Sequence, residues 1–168
     1  MKELILIRHA KSDWGNEYLK DIDRHLNARG YGDAYMLSKW YFENHLAPER
    51  ILSSTATRAL NTALIFARAL NFNMANFLIE ESIYESSVSN LLSTIKKQPD
   101  TLKSMMLFGH NPSITNLYNE LCTDMFIDNV PTCGIIKINF DTKSWKDINE
   151  KNAKLNFFQF PKDYKNTN

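Results

Sequence analysis

Cysteine is nearly missing from this chain: Cys122 and Cys133 are its two thiols, and no Cys-x-x-Cys spacing occurs. That argues against a disulfide framework and a cysteine-built zinc site, and leaves two reduced, partly buried thiols as the expectation. An excess of one charge is missing too. Lys plus Arg number 20 against 19 Asp plus Glu, a formal charge of +1, so nothing marks the chain as nucleic-acid-binding or membrane-surface. No apolar run approaches the roughly 20 residues that span a bilayer. The opening Met1-Lys2-Glu3-Leu4-Ile5-Leu6-Ile7 turns at once into Arg8 and His9, with no cleavage site of the secretory kind after it. A mature cytoplasmic start is the expectation.

What is present is globular. Hydrophobic residues make 43% and charged residues 23% of 168, the size of one domain, able to bury about two-thirds of the surface its unfolded chain exposes. Strand-like and helix-like segments alternate. Leu4-Ile5-Leu6-Ile7 is apolar on both faces, as in a central parallel strand. Asn27 caps an expected helix to about Asn44, with Ala34, Leu37 and Tyr41 inward. Arg50 to Ser54 reads as the second strand. Thr57 is the expected cap of a helix whose Leu60, Ala63, Leu64 and Ala67 form the inward stripe. Phe77 to Glu80 is the third strand, and Val88, Leu91, Leu92 and Ile95 mark a short helix ending before Pro99. Met105 to Phe108 is the fourth strand. Asn111-Pro112 reads as a cap plus first-position proline for a helix with Ile114, Leu117 and Leu121 inward. Two closing strands, Gly134 to Phe140 and Leu155 to Phe160, form a hairpin, and residues 162–168 are expected to fray. The order predicts one α/β domain over 1–168, with helices on both faces of a mostly parallel sheet and an antiparallel edge at the end.

Ligands of such sheets sit beyond the carboxyl ends of the strands. Those junctions carry Arg8 and His9, then Arg58, Glu85 and His110. An arginine at a helix start is mildly unfavourable against the dipole, by a few tenths to about 1 kcal/mol, unless both face a bound anion. Arg8, leaving a buried strand, also needs an anionic partner. His25 and His45 read as structural. A metal site from His9, His25 and His110 with Asp13 or Asp23 lacks any supporting spacing.

Leu6-Ile7-Arg8-His9-Ala10-Lys11-Ser12 resembles the opening of the histidine phosphatase superfamily. The resemblance continues through Asp23-Arg24 with Leu26-Asn27-Ala28-Arg29-Gly30, through Ser53-Ser54-Thr55-Ala56-Thr57-Arg58-Ala59, and through Phe108-Gly109-His110-Asn111-Pro112-Ser113. Within that superfamily the chain is most similar to the small SixA-type phosphohistidine phosphatases. His25 stands where a proline is usual, which implies a changed loop. Trp14 is followed by Gly15, with Asn16 one place late, so the phosphate-binding asparagine of mutase-like members is not carried over.

The resemblance implies a phosphoglycerate mutase-like fold and a metal-independent, cofactor-free phosphatase. It implies His9 as nucleophile, and Arg8, Arg58 and His110 as phosphate-binding groups. His9 must be unprotonated to attack, and cationic neighbours lower its pKa. Ile83-Tyr84-Glu85 matches the segment that supplies a general acid in many members, but SixA-type members often lack an equivalent. Glu85 therefore stands either as that acid or as a solvated loop carboxylate. The implied substrate is phosphohistidine on a signalling protein of the histidine-phosphotransfer type. The alternatives are a small phosphorylated metabolite, or phosphoprotein binding without turnover.

Overall fold

A computed structural model describes residues 1–167. Strand β1 (Lys2–Arg8) leads to α1 (Ala28–Asn44), β2 (Arg50–Ser53), α2 (Thr57–Ala69), β3 (Phe77–Ile79) and α3 (Val88–Lys96). Then follow β4 (Ser104–Gly109), α4 (Ser113–Leu121), β5 (Ile135–Phe140), β6 (Ala153–Gln159) and α5 (Pro161–Thr167). The strands form one sheet in the order β3-β2-β4-β1-β5-β6. β3, β2, β4 and β1 pair in parallel, whereas β5 and β6 close the sheet by antiparallel pairing. Among the described residues no helix is long and apolar enough to cross a membrane.

The unbroken apolar run of β1 has a simple cause. Successive strand residues point to opposite faces. Leu4 and Leu6 join Leu91, Ile95, Ile114 and Leu117 in one core, while Ile5 and Ile7 join Ala34, Leu37, Ala63 and Phe66 in the other. α3 and α4 thus cover one face, and α1, α2 and α5 the other. Burying each such Leu or Ile stabilises the fold by about 1.5–3 kcal/mol.

Several local expectations change. Thr57 is the first residue of α2, not its cap; the cap position is Ala56, whose N–H is taken by Ser54 Oγ at 3.2 Å. The inward stripe of α2 is Ala59, Thr62, Ala63 and Phe66, with Leu60 and Leu64 only half-buried. At α4 the cap position is Pro112, and Asn111 Oδ1 accepts from Thr115 Oγ1 at 2.8 Å while its amide donates to the Val130 carbonyl at 3.0 Å. Asn111 therefore ties α4 to the loop that approaches the strand ends. The expected frayed tail is helix α5, held where Lys165 meets the buried Asp33 carboxylate at 2.9 Å; Asn168 lies outside the described residues.

Candidate active site

Three neighbouring strands stop level. Across β1 and β4 Arg8 pairs with Gly109, and across β2 and β4 Ser53 pairs with Phe108. The backbone carries this register one step further: His9 N–H donates to the Gly109 carbonyl and Ser54 N–H to the Phe108 carbonyl, both at 3.0 Å. Ser54, His110 and His9 consequently leave the sheet side by side. The two imidazoles lie 5.2 Å apart between ring centroids. Arg58, the second residue of α2, reaches across them. Arg8, His9, Arg58 and His110 line one cleft of about 210 Å³ together with Lys11, Ser12, Trp14, Arg24, Asn111 and Thr132. A larger hollow of about 310 Å³ sits at the opposite ends of the strands, by Met1, Glu3 and Lys103, and includes none of the four.

The ring of His9 is oriented by its own backbone. A carbonyl only accepts, so the 2.7 Å contact between Nδ1 and Ala10 O places the proton on Nδ1. Nε2 is then the bare nitrogen, and it accepts from Arg58 Nε at 3.4 Å. Ala10 is itself anchored, because its N–H donates to Thr62 Oγ1 at 3.0 Å while that hydroxyl donates to the Arg58 carbonyl at 2.8 Å. One threonine thereby links the loop behind His9 to the helix bearing Arg58. Gly30 completes the fit: a Cβ there would overlap the Lys11 carbonyl oxygen, so only glycine lets α1 pack this close.

Charge in the cleft is lopsided. Its lining carries four cationic side chains, Arg8, Lys11, Arg24 and Arg58, while the carboxylate of Asp21 sits at its edge against Arg24 and Arg58. Arg58 donates to the Asp21 carbonyl at 2.7 Å and to its Oδ2 at 3.1 Å, and Arg24 donates to Oδ1 at 3.1 Å. Tyr84 hydroxyl donates to Oδ2 at 2.7 Å. Burial alone would raise the Asp21 carboxyl, but Tyr84, Arg58 and Arg24 hold it down at about 2. Burial, then the charges of His110, Arg58 and Arg8, pushes His9 down to about 3 against the opposing Ala10 hydrogen bond. Burial and Arg58 likewise push His110 down to about 4. Both rings are neutral at pH 7, as a nitrogen nucleophile requires. Arg8 donates Nη1 to the Val130 carbonyl at 2.9 Å, but its buried Nε has no partner, and neither does His110 Nδ1. A buried guanidinium N–H left unmet in a cationic cleft suits an oxyanion.

Glu85 is not among the residues that line this cleft. It is exposed, on a left-handed backbone with φ 51°. Its neighbour Tyr84 points inward instead, 5.7 Å from the His110 ring and bonded to Asp21. Sequence reasoning missed Asp21 and Ser54 as site residues, and offered Tyr84 only, with Trp14 and Tyr18, as an aromatic that could line a small-molecule pocket. Asp21 carried a signal, since an acid three residues before Arg24 can pair with it. His25 is exposed, and Asn16 caps the Tyr18 N–H at 3.1 Å outside the cleft. Among the described residues no group of three or more His, Cys, Asp or Glu is placed to hold a metal ion.

The sequence profile of the histidine phosphatase superfamily (branch 1) matches residues 4–93. The chain belongs to this superfamily. Membership supports phosphatase activity, and relatives extend the match beyond that span. A protein of Mycobacterium leprae named only as uncharacterised is 26% identical over 167 residues, covering 93% of this chain and 100% of that one. Among solved structures, a SixA protein from Agrobacterium tumefaciens superposes with a TM-score of 0.80 at 26% identity, over 95% of this chain and 98% of that one. The protein histidine phosphatase SixA complexed with tungstate superposes with a TM-score of 0.81, over 96% and 99% of the chains. At 18% identity, that match speaks for the phosphatase fold alone.

Proposed function

We propose that this histidine phosphatase hydrolyses phosphohistidine on a protein partner through a phosphorylated His9. His9 Nε2 attacks phosphorus, the bond from phosphorus to the substrate ring nitrogen breaks, and imidazole departs. Water then attacks phospho-His9, releasing inorganic phosphate and restoring the free ring. Arg8, Arg58 and His110 neutralise the non-bridging oxygens, and a guanidinium fork can meet two of them at once.

The observation that carries the substrate class is the lack of a usable acid. Among the described residues no Asp or Glu lines the cleft. Asp21, bonded to Arg58 at its edge, is held at about 2 and is ionised near neutrality. An alkoxide leaving group needs a proton in the transition state. A phosphorylated imidazole can take its own proton on the second ring nitrogen near neutral pH and leave as a neutral ring. Openness supports the same reading. Trp14 lies over the Arg24 guanidinium at 3.5 Å yet is 71% exposed, and Tyr18 is 91% exposed. The segment carrying them does not wall in a small molecule, and leaves room for a phosphate presented on a protein surface.

The decisive assay compares wild type and His9→Ala on a phosphorylated histidine-phosphotransfer protein and on a panel of phosphorylated metabolites. The expected outcome is a kcat/KM preference for the phosphoprotein, no turnover by His9→Ala, and acid-labile, alkali-resistant label trapped on His9. Preference for one metabolite would replace the substrate class. Binding without any trapped label would replace catalysis by recognition.

A further inference from the structure

We infer that Ser54 is a positioning residue that sets the tautomer of His110, keeping its proton on Nδ1 so that the ring donates to the transferring phosphoryl group. The inference rests on the proposed phosphatase reading for the role of that donor, but the tautomer itself is independent of it.

Proton accounting carries the assignment. Ser54 Oγ lies 2.8 Å from His110 Nε2, and it accepts the Ala56 N–H at 3.2 Å. A hydroxyl has one proton to give and two lone pairs to fill. If Nε2–H donated to Ser54, the oxygen would accept twice, and the serine proton would need another acceptor. Ser54 is 0% exposed, and among the described residues its Oγ makes no other hydrogen bond. A stranded buried hydroxyl proton is costly. The arrangement that satisfies it has Ser54 donating into a bare Nε2. The ring proton of neutral His110 then sits on Nδ1, which is buried without a protein partner too, but on a ring that lines the cleft, where water or an oxyanion can accept it; fully buried Ser54 is not part of that lining.

The fold fixes this pair rigidly. Ser54 and His110 leave adjacent parallel strands, and the Ser54 N–H is bonded to the Phe108 carbonyl at 3.0 Å. Ser54 therefore does for His110 what the Ala10 carbonyl does for His9, with the opposite result. Ala10 O pins the proton on Nδ1 of His9 and frees Nε2 to attack. Ser54 pins Nε2 of His110 as an acceptor and presents Nδ1–H as a donor.

Long-range proton–nitrogen NMR on the full chain, unliganded at neutral pH, reads the tautomer without substrate. Wild type should show His110 with a protonated Nδ1 and a bare Nε2. Ser54→Ala should move proton density to Nε2 and lower kcat/KM on a phosphorylated histidine-phosphotransfer protein about tenfold, below the loss expected for deleting the donor outright. Ser54→Thr, which keeps a hydroxyl, should restore both. Wild-type His110 protonated on Nε2 would overturn the inference even if no variant folds, as would a Ser54→Ala protein that retains the Nδ1–H form. A Ser54-dependent Nδ1–H tautomer in a chain that turns over no phosphohistidine would instead overturn the functional reading and leave the tautomer assignment standing.

Discussion

Asp21 grips Arg58 at two points, its carbonyl accepting from Nη1 at 2.7 Å and its Oδ2 from Nη2 at 3.1 Å. Both contacts use the outer end of the guanidinium, so the Nε side remains turned to His9. The expected consequence is that Asp21 sets where Arg58 can meet a phosphoryl group. Asp21→Ala should lower kcat/KM roughly tenfold or more, because small misplacements of a charge-stabilising group are costly in rate. The melting temperature should change little, since the carboxylate is half-exposed. Unchanged kinetics would mean that Arg58 is held well enough by other contacts.

Arg58→Lys separates charge from shape. A lysine keeps the positive charge but cannot hold Asp21 and a phosphoryl oxygen together. A loss in kcat/KM of about 10²-fold is expected, close to that of Arg58→Ala. Near-normal activity in the lysine variant would show that the fork is unnecessary.

The histidines give a pH signature. Their folded-state pKa values, about 3 for His9 and about 4 for His110, lie below the ordinary value of 6.5. Between those limits the unfolded chain binds more protons than the folded one, so stability rises with pH. The contribution is complete above about 6.5 and is lost as pH falls toward 3–4. Melting temperature should therefore fall from pH 7 to pH 5, and less steeply in His9→Gln and His110→Gln. NMR titration of the two rings should show neither protonating near 6.5.

Glu85→Gln tests the carboxylate that lies outside the cleft. Less than about a threefold change in kcat/KM is expected on phosphohistidine and on alkyl phosphates alike. A large loss confined to alkyl phosphates would restore Glu85 as their proton donor.

Gly30→Ala probes the support behind His9. The new methyl would collide with the Lys11 carbonyl, a backbone atom that cannot swing away. A loss of about 1–3 kcal/mol is expected from denaturant unfolding, as for other overpacked sites. Undiminished stability would show that α1 can draw back from the loop.

Much of this protein was legible along the chain. The two-sided apolar run of β1 requires helices on both faces, Asn27 announces α1, and Arg8, His9, Arg58 and His110 stand at strand-to-helix junctions where a parallel sheet places its ligands. Those are local facts, decided by side-chain alternation and capping chemistry within a few residues. The partners of those groups are decided across the sheet. That β4 inserts between β2 and β1 is what sets Ser54 beside His110 and His110 beside His9. Glu85 and Tyr84 are adjacent in the chain, yet a left-handed residue turns the acid to solvent while the phenol reaches Asp21. Strand and helix patterning places Arg8, His9, Arg58 and His110 at the strand ends, and the family resemblance implies their phosphoryl chemistry. Which nitrogen holds a proton, and which carboxylate holds an arginine, depends on distances of about 3 Å between segments far apart in sequence, and only the packed structure decides those.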